Sequence, residues 1–249
     1  MLAAARILGS GGFVPTGRRE TNSLLLLPEG GNGAVVVDAG TGIRRLITDP
    51  SLLDGRRTLD VLLTHFHLDH VCGLAYLTEL RDLTIRIHGP GIALYGEPTE
   101  DLLDPLFSAP VMPMGIRAVV DDLLELPVGA AEVAGLEVRT RRQARHPNPT
   151  MGLRFGDVLT WCTDTEADPG TPDFARGARV LAHEAWGPPP APGHTPPAIA
   201  GDLATDAGAA VLVLIHVPPV GDEEELHAAA AARHPNVVLG VDELDLLAL

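Results

Sequence analysis

The chain has 249 residues, 45% apolar and 20% charged, and its 33 acidic residues outweigh 18 basic ones for a formal net charge of −15. That balance suits a well-buried globular core and excludes a disordered chain. Every basic residue is Arg. So acidic a chain lacks the clustered cations that grip a nucleic-acid backbone or an anionic membrane, whereas a small anionic substrate stays open because a metal can supply local positive charge.

Ala3–Leu8 reads as a short strand running into the glycines Gly9–Gly12. Ser23–Leu27 and Ala34–Val37 are apolar runs split by Gly30, Gly31 and Gly33, the pattern of a hairpin. The second run closes on Asp38-Ala39-Gly40. Helical spacing of Ile43, Leu46 and Ile47 predicts a helix over 42–48, and Leu59–Leu63 a compact strand. Asp69–Leu80 reads as a helix, and Thr84–Ile87 as a strand. The segment 89–115 carries five prolines among Tyr95, Phe107, Met112 and Met114. It reads as a long ordered insertion, either a lid or a surface excursion packing its own apolar residues. Short strands follow at Leu123–Leu126, Leu136–Thr140, Met151–Phe155, Val158–Thr163 and Arg179–Ala182. A Pro-rich loop spans 187–193. Thr195, Pro196 and Gly208 read as N-cap, first turn and C-terminal stop of a helix. Val211–Ile215 is a strand, Glu223–Arg233 an Ala-rich helix and Val237–Leu239 a closing strand. Two runs of strands, each followed by helices, predict two packed sheets with helices outside.

The two Cys point to a reduced, cytoplasmic protein, the opening MLAAARILGSGG makes a poor signal peptide, and no apolar run of about 18 residues is present to span a membrane. Cys72 and Cys162 read as small buried residues.

The decisive segment is Thr64-His65-Phe66-His67-Leu68-Asp69-His70. Four metal-ligand types fall within six residues, directly after an apolar strand. A strand ending in a loop lets His65 and His67 converge, and the turn into the next helix sends Asp69 and His70 to a second nearby point. Imidazole with carboxylate suits Zn, Mn, Fe or Ni.

This segment resembles the signature of the metallo-β-lactamase superfamily. The resemblance implies an α/β (α+β type) fold: a four-layer αβ/βα sandwich of two mixed sheets with outer helices, here as one domain over 1–249. It also implies a ligand set. His146 in Arg145-His146-Pro147-Asn148 looks like the third ligand, Asp164 the carboxylate bridging two metals, and His216 the last ligand. Asp38 matches the acid behind the ligands. One divalent ion would then be held by His65, His67 and His146, the other by Asp69, His70 and His216, with Asp164 between them. Zn is the expected metal, with Mn or Fe as alternatives. Two such ions can share a hydroxide and clamp an in-line displacement.

Asp164 stands where true β-lactamases of the superfamily commonly have Cys, and His67 where diiron flavoproteins have Glu. Leu8–Thr16, the His183-Glu184-Ala185 run and Gly193-His194-Thr195 are instead similar to ribonuclease Z and its relatives. That branch implies catalytic parts for Asp69, Glu184 and His194, the Glu orienting the His and the His assisting at the leaving oxygen. His183 reads as a core residue, and His88, His227 and His234 as structural or surface residues. The long basic arm that ribonuclease Z uses on transfer RNA has no counterpart between His146 and Asp164, and Trp186 replaces the Thr after His-Glu-Ala. The resulting expectation is a phosphodiesterase on small cyclic or nucleotide-like diesters, with no tRNA or other large nucleic acid as partner, no membrane, and room for a homodimer. The alternatives are a lactonase or thioesterase, or a diiron oxygenase on the same fold.

Overall fold

The structure is a computed structural model and describes residues 1–143, 146–187 and 191–249. Arg145 and the prolines at 188–190, named above with the third ligand and the Pro-rich loop, lie outside the described residues.

The first sheet holds β1 (Leu2–Gly9), β2 (Ser23–Pro28), β3 (Gly33–Val37), β4 (Thr58–Leu62), β5 (Thr84–Gly89) and β6 (Asp122–Glu125), in that spatial order. Its first two pairings are antiparallel and its last three parallel. The second sheet holds β7 (Gly129–Val133), β8 (Leu136–Gln143), β9 (Thr150–Phe155), β10 (Leu159–Cys162), β11 (Val180–Glu184), β12 (Val211–Ile215) and β13 (Val237–Leu239). It repeats the plan, antiparallel from β7 to β10 and parallel from β10 to β13. The sheets are mixed for a physical reason. Among the described residues, turns or loops without helices join the antiparallel strands, and parallel neighbours need the crossovers that carry the helices.

Alternation along the strands separates the faces. Leu24, Leu26, Val35, Val37 and Leu62 pack in one cluster with Val138, Leu153, Trp161, Ala182 and Ile215, filling the space between the sheets. Leu25, Val36, Leu59 and Val61 belong to a second cluster, with Ile43, Leu74, Leu103 and Phe107. This outer layer comprises α1 (Arg45–Thr48), α2 (Leu68–Val71), the 3-10 turns at 41–44 and 72–79, and α3 (Thr99–Leu103). Across the molecule, α4 (Thr171–Phe174), α5 (Pro197–Ala207) and α6 (Glu223–Ala231) cover the second sheet over Leu181, Leu212 and Leu214. The sandwich is the architecture expected from the sequence.

Local differences have local causes. The helix expected over 69–80 is one α-turn followed by a 3-10 stretch, with His70 and Val71 buried at the junction. Thr195 does not cap α5. Its hydroxyl donates to Thr165 O instead, and Pro196 takes the cap position without a side-chain bond. Gly208 ends that helix in the left-handed conformation, as read from the sequence. In the 89–115 segment, Leu103 and Phe107 pack on the outer face of the first sheet, and Tyr95 donates its hydroxyl to Pro149 O at 2.9 Å while its ring meets Phe66 edge-on. No helix among the described residues is long and apolar enough to cross a membrane.

Candidate metal centre

Parallel strands of both sheets end at one place, the usual position for a site in open α/β architecture. Asp38 follows β3, Asp164 follows β10 and His216 follows β12, with φ of 57°, 50° and 53°. The left-handed region costs a non-glycine residue of order 1 kcal/mol, and such outliers gather where side chains must be aimed.

After β4, the chain delivers His65, His67, Asp69 and His70. His70 Nδ1 donates to Asp38 Oδ2 at 2.8 Å. The Thr64 hydroxyl donates to the same carboxylate and meets His65 Nδ1 at 3.0 Å. Each ring therefore has one nitrogen committed, and the Nε2 atoms of His65 and His70 are buried without a hydrogen bond. From the second sheet, His146 commits Nδ1 to Gly193 O at 2.7 Å, leaving Nε2 3.4 Å from His67 Nδ1. His67 Nε2 lies 2.9 Å from the Asn148 amide. His216 Nε2 stands 3.2 Å from Asp69 Oδ2 and 3.4 Å from Asp164 Oδ1.

Donor atoms of His65, His67, His146 and Asp164 lie within 4.8 Å of one another, as do those of Asp69, His70 and His216. All seven residues singled out in the sequence thus converge. The buried nitrogens of His65 and His70, the latter 3.1 Å from Asp164 Oδ1, and the two facing imidazole nitrogens form a donor set that fits divalent cations.

Electrostatics divide the cluster. Burial alone would raise the Asp164 pKa, but His216, His70 and His65 overcome it and hold the carboxyl well below its usual range. Asp69 is held low in the same way, against burial, by His70 and His216. Burial pushes His65 down, assisted by His70, and burial pushes His67 and His146 down. Against burial, Asp164 and Asp69 raise His70 and His216. His65, His67 and His146 are thus held in the neutral form that metal binding requires, whereas a cation at Asp69, His70 and His216 would displace a proton.

Beside the cluster, His194 Nδ1 lies 2.6 Å from Glu184 Oε2. Glu184 ends β11 fully buried, and its other oxygen accepts the Thr165 amide. Burial and the Asp164 charge raise the Glu184 pKa, and burial lowers that of His194. Both shifts oppose charge separation, so the pair holds one proton between its members. His183, by contrast, bonds the Glu184 carbonyl beneath the strand, and His88 pairs with the buried Asp60.

Sequence reasoning missed the frame behind these residues. Gly12 packs so closely on the His216 ring that a Cβ there would lie 2.5 Å from Nδ1. Phe13 N donates to Asp69 Oδ2 at 2.9 Å. Asp242 fixes this glycine loop by accepting from Ser10 N, the Ser10 hydroxyl, Glu20 N and Arg45. No local signal marks Asp242, which acts 232 residues from Ser10. A cleft of about 360 Å³ opens on the cluster, lined also by Phe13, Pro147, Trp186 and Pro192.

A family model described as the beta-lactamase superfamily domain matches residues 34–217. The chain belongs to the metallo-β-lactamase superfamily. It is a hydrolase of that superfamily with a His/Asp cluster able to hold metal. Ribonuclease Z of Methanopyrus kandleri is 28% identical, the match covering 96% of this chain and 95% of that protein. A diphosphatase of the PhnP family shares the fold at a TM-score of 0.75 and 19% identity, over 97% of this chain and 96% of the other. Human tRNase Z, short form, does so at 0.66 and 18%, over 97% of each chain.

These relatives correct one expectation. The sequence reading excluded transfer RNA as partner, yet the curated relative carries the name ribonuclease Z and a structural neighbour the name tRNase Z. The exclusion is withdrawn. Its physical weakness was to judge a local site by a whole-molecule charge, when ions in the cleft can reverse the local field.

Proposed function

We propose that the protein is a dinuclear metal-dependent phosphodiesterase. His65, His67 and His146 would hold one ion, Asp69, His70 and His216 the other, and Asp164 would bridge them, with Zn the expected metal. When bound, the ions would act as Lewis acids on phosphoryl oxygens and bring the pKa of water toward 7. The observation that carries the phosphoryl reading is the Glu184–His194 pair, seated beside the ligands but with Nδ1 already taken by the carboxylate.

A phosphodiester leaves behind a basic alkoxide, which needs a proton. His194 lines the cleft and has its other nitrogen to offer. Glu184 orients the ring and accepts charge as the proton moves, the role a buried carboxylate plays toward a catalytic imidazole. Asp69 is tied to Phe13 N and His216 and keeps its carboxylate at the mouth. The cleft's volume suits a nucleotide-sized group, supplied by a small cyclic or nucleotide-like diester or by an RNA end. The ribonuclease Z and diphosphatase relatives support phosphate-ester chemistry.

The test sets four substrates against the metal-loaded protein: bis(p-nitrophenyl) phosphate, a lactone, a thioester and a β-lactam. The diester is expected to turn over, and chelation to abolish the rate. Turnover of the lactone or thioester without the diester would replace this reading.

A further inference from the structure

The cleft has an apolar side that metal binding and proton transfer leave unused. Trp186 lies on the His194 ring, 4.7 Å between centroids and 21° between planes, and His194 lies against His216 at 5.6 Å and 18°. The Trp186 backbone N–H donates to Thr195 O at 2.9 Å, so the indole rides on a bridge between the end of β11 and the start of α5.

Phe13 is the other ring that lines the cleft. It is 70% exposed in a chain with only 4% aromatics, and it adds nothing to the core. Its φ is 65°, where a bulky side chain is an outlier and glycine, present at Gly11 and Gly12, is at ease. Its amide is anchored on Asp69, so the ring stands one residue from the cluster. Two aromatic rings thus line the same cleft as the ligands, one strained and exposed, the other stacked and fixed.

We propose that Phe13 and Trp186 determine specificity by gripping a planar nucleobase joined to the phosphodiester on which the cluster acts. This rests on the phosphodiesterase reading. Stacking needs only flat faces and accepts any base. The polar residues lining the cleft, His67, Asp69, His146, Asp164, His194 and His216, are all occupied by the cluster or by Glu184. None of these is left to read a base edge, so the site should tolerate all bases within a few-fold.

The experiment compares two esters with one leaving group: thymidine 5′-(p-nitrophenyl phosphate) and methyl p-nitrophenyl phosphate. In Phe13→Gly and in Trp186→Ala, the ratio of kcat/KM for the first over the second should fall about tenfold, through KM. Ile92→Ala, at an exposed site outside the cleft lining, should leave the ratio as it is. An unchanged ratio in both cleft variants would overturn the clamp and leave the phosphodiesterase reading standing. If the wild type hydrolysed neither ester, that reading would fail. The clamp would then be judged by tryptophan fluorescence. Quenching by thymidine 5′-monophosphate but not by ribose 5-phosphate, lost in Trp186→Phe and weakened in Phe13→Gly, supports it. Equal or absent quenching by the two overturns it.

Discussion

Asp38 touches no substrate, yet it holds Thr64 N, the Thr64 hydroxyl, His70 Nδ1 and the Asn22 amide within one buried carboxylate. Asp38→Ala should therefore release the His70 ring and cost roughly 10–100-fold in metal affinity. Competition against a chelator measures it, and an affinity within twofold of wild type would contradict the role. His183 gives a pH prediction. Its Nδ1 donates to the Glu184 carbonyl, its Nε2 is buried without a partner, and burial pushes its pKa from the usual 6.5 down to about 4. Between those values the unfolded chain takes up a proton that the folded chain refuses. Its stabilising contribution is intact above pH 6.5 and is lost as pH falls toward 4, by about 3 kcal/mol at full extent. His183→Leu should flatten the urea midpoint between pH 7 and 5, and an unchanged slope would contradict this. His65, His67, Asp69 and His70 stood out in the sequence because their spacing is local and chemically unusual, whereas His146, Asp164 and His216 were reached only through the family resemblance. Asp38 was matched with them, but Thr64 and Asn22, which hold its carboxylate, are ordinary residues in sequence and act only through the fold.

The glycine loop between β1 and β2 shows what a single element adds. Its glycines were visible, but their purpose was not, because His216 lies far away in the chain. Gly12→Ala would drive a methyl into the His216 ring. The expected outcome is reduced metal occupancy with the helix and sheet signals of circular dichroism retained, and full occupancy would contradict the close contact. Strands and their order were legible through apolar runs and turn residues, since burial on one or both faces writes its period directly. β7 was missed: its pattern is mostly exposed over Gly129–Ala131, and it leaves little apolar signal. The 3-10 stretch at 72–79 was read as helix because 3-10 and α-turns bury nearly the same positions.

At the scale of the molecule, the two sheets contribute to one cluster. His65, His67, Asp69 and His70 come from the first sheet's end, and His146, Asp164 and His216 from the second's. Bound metal would therefore tie the halves together, and binding only the folded chain stabilises it by mass action, about 2.7 kcal/mol at a free ion concentration of a hundred times Kd. Thermal midpoints should rise with added Zn and fall on chelation, and a midpoint indifferent to both would contradict cross-sheet ligation. Elemental analysis at saturation should give two ions per chain. A colourless protein is expected with Zn, whereas an oxo-iron absorption band would favour the oxygenase alternative. The overall sandwich could be read from the chain, because it follows from periodicity. Substrate range could not, because it is set at the cleft rather than by total charge.

The most direct test of the account is the dependence of His194→Ala on leaving group. The variant should keep both ions and the fold, and should lose about 10²-fold or more on an alkyl phosphodiester. On a nitrophenyl diester, whose leaving group needs little protonation, the loss should shrink. Equal losses on both esters, or none on either, would contradict proton delivery by His194 and favour a carboxylic-ester substrate.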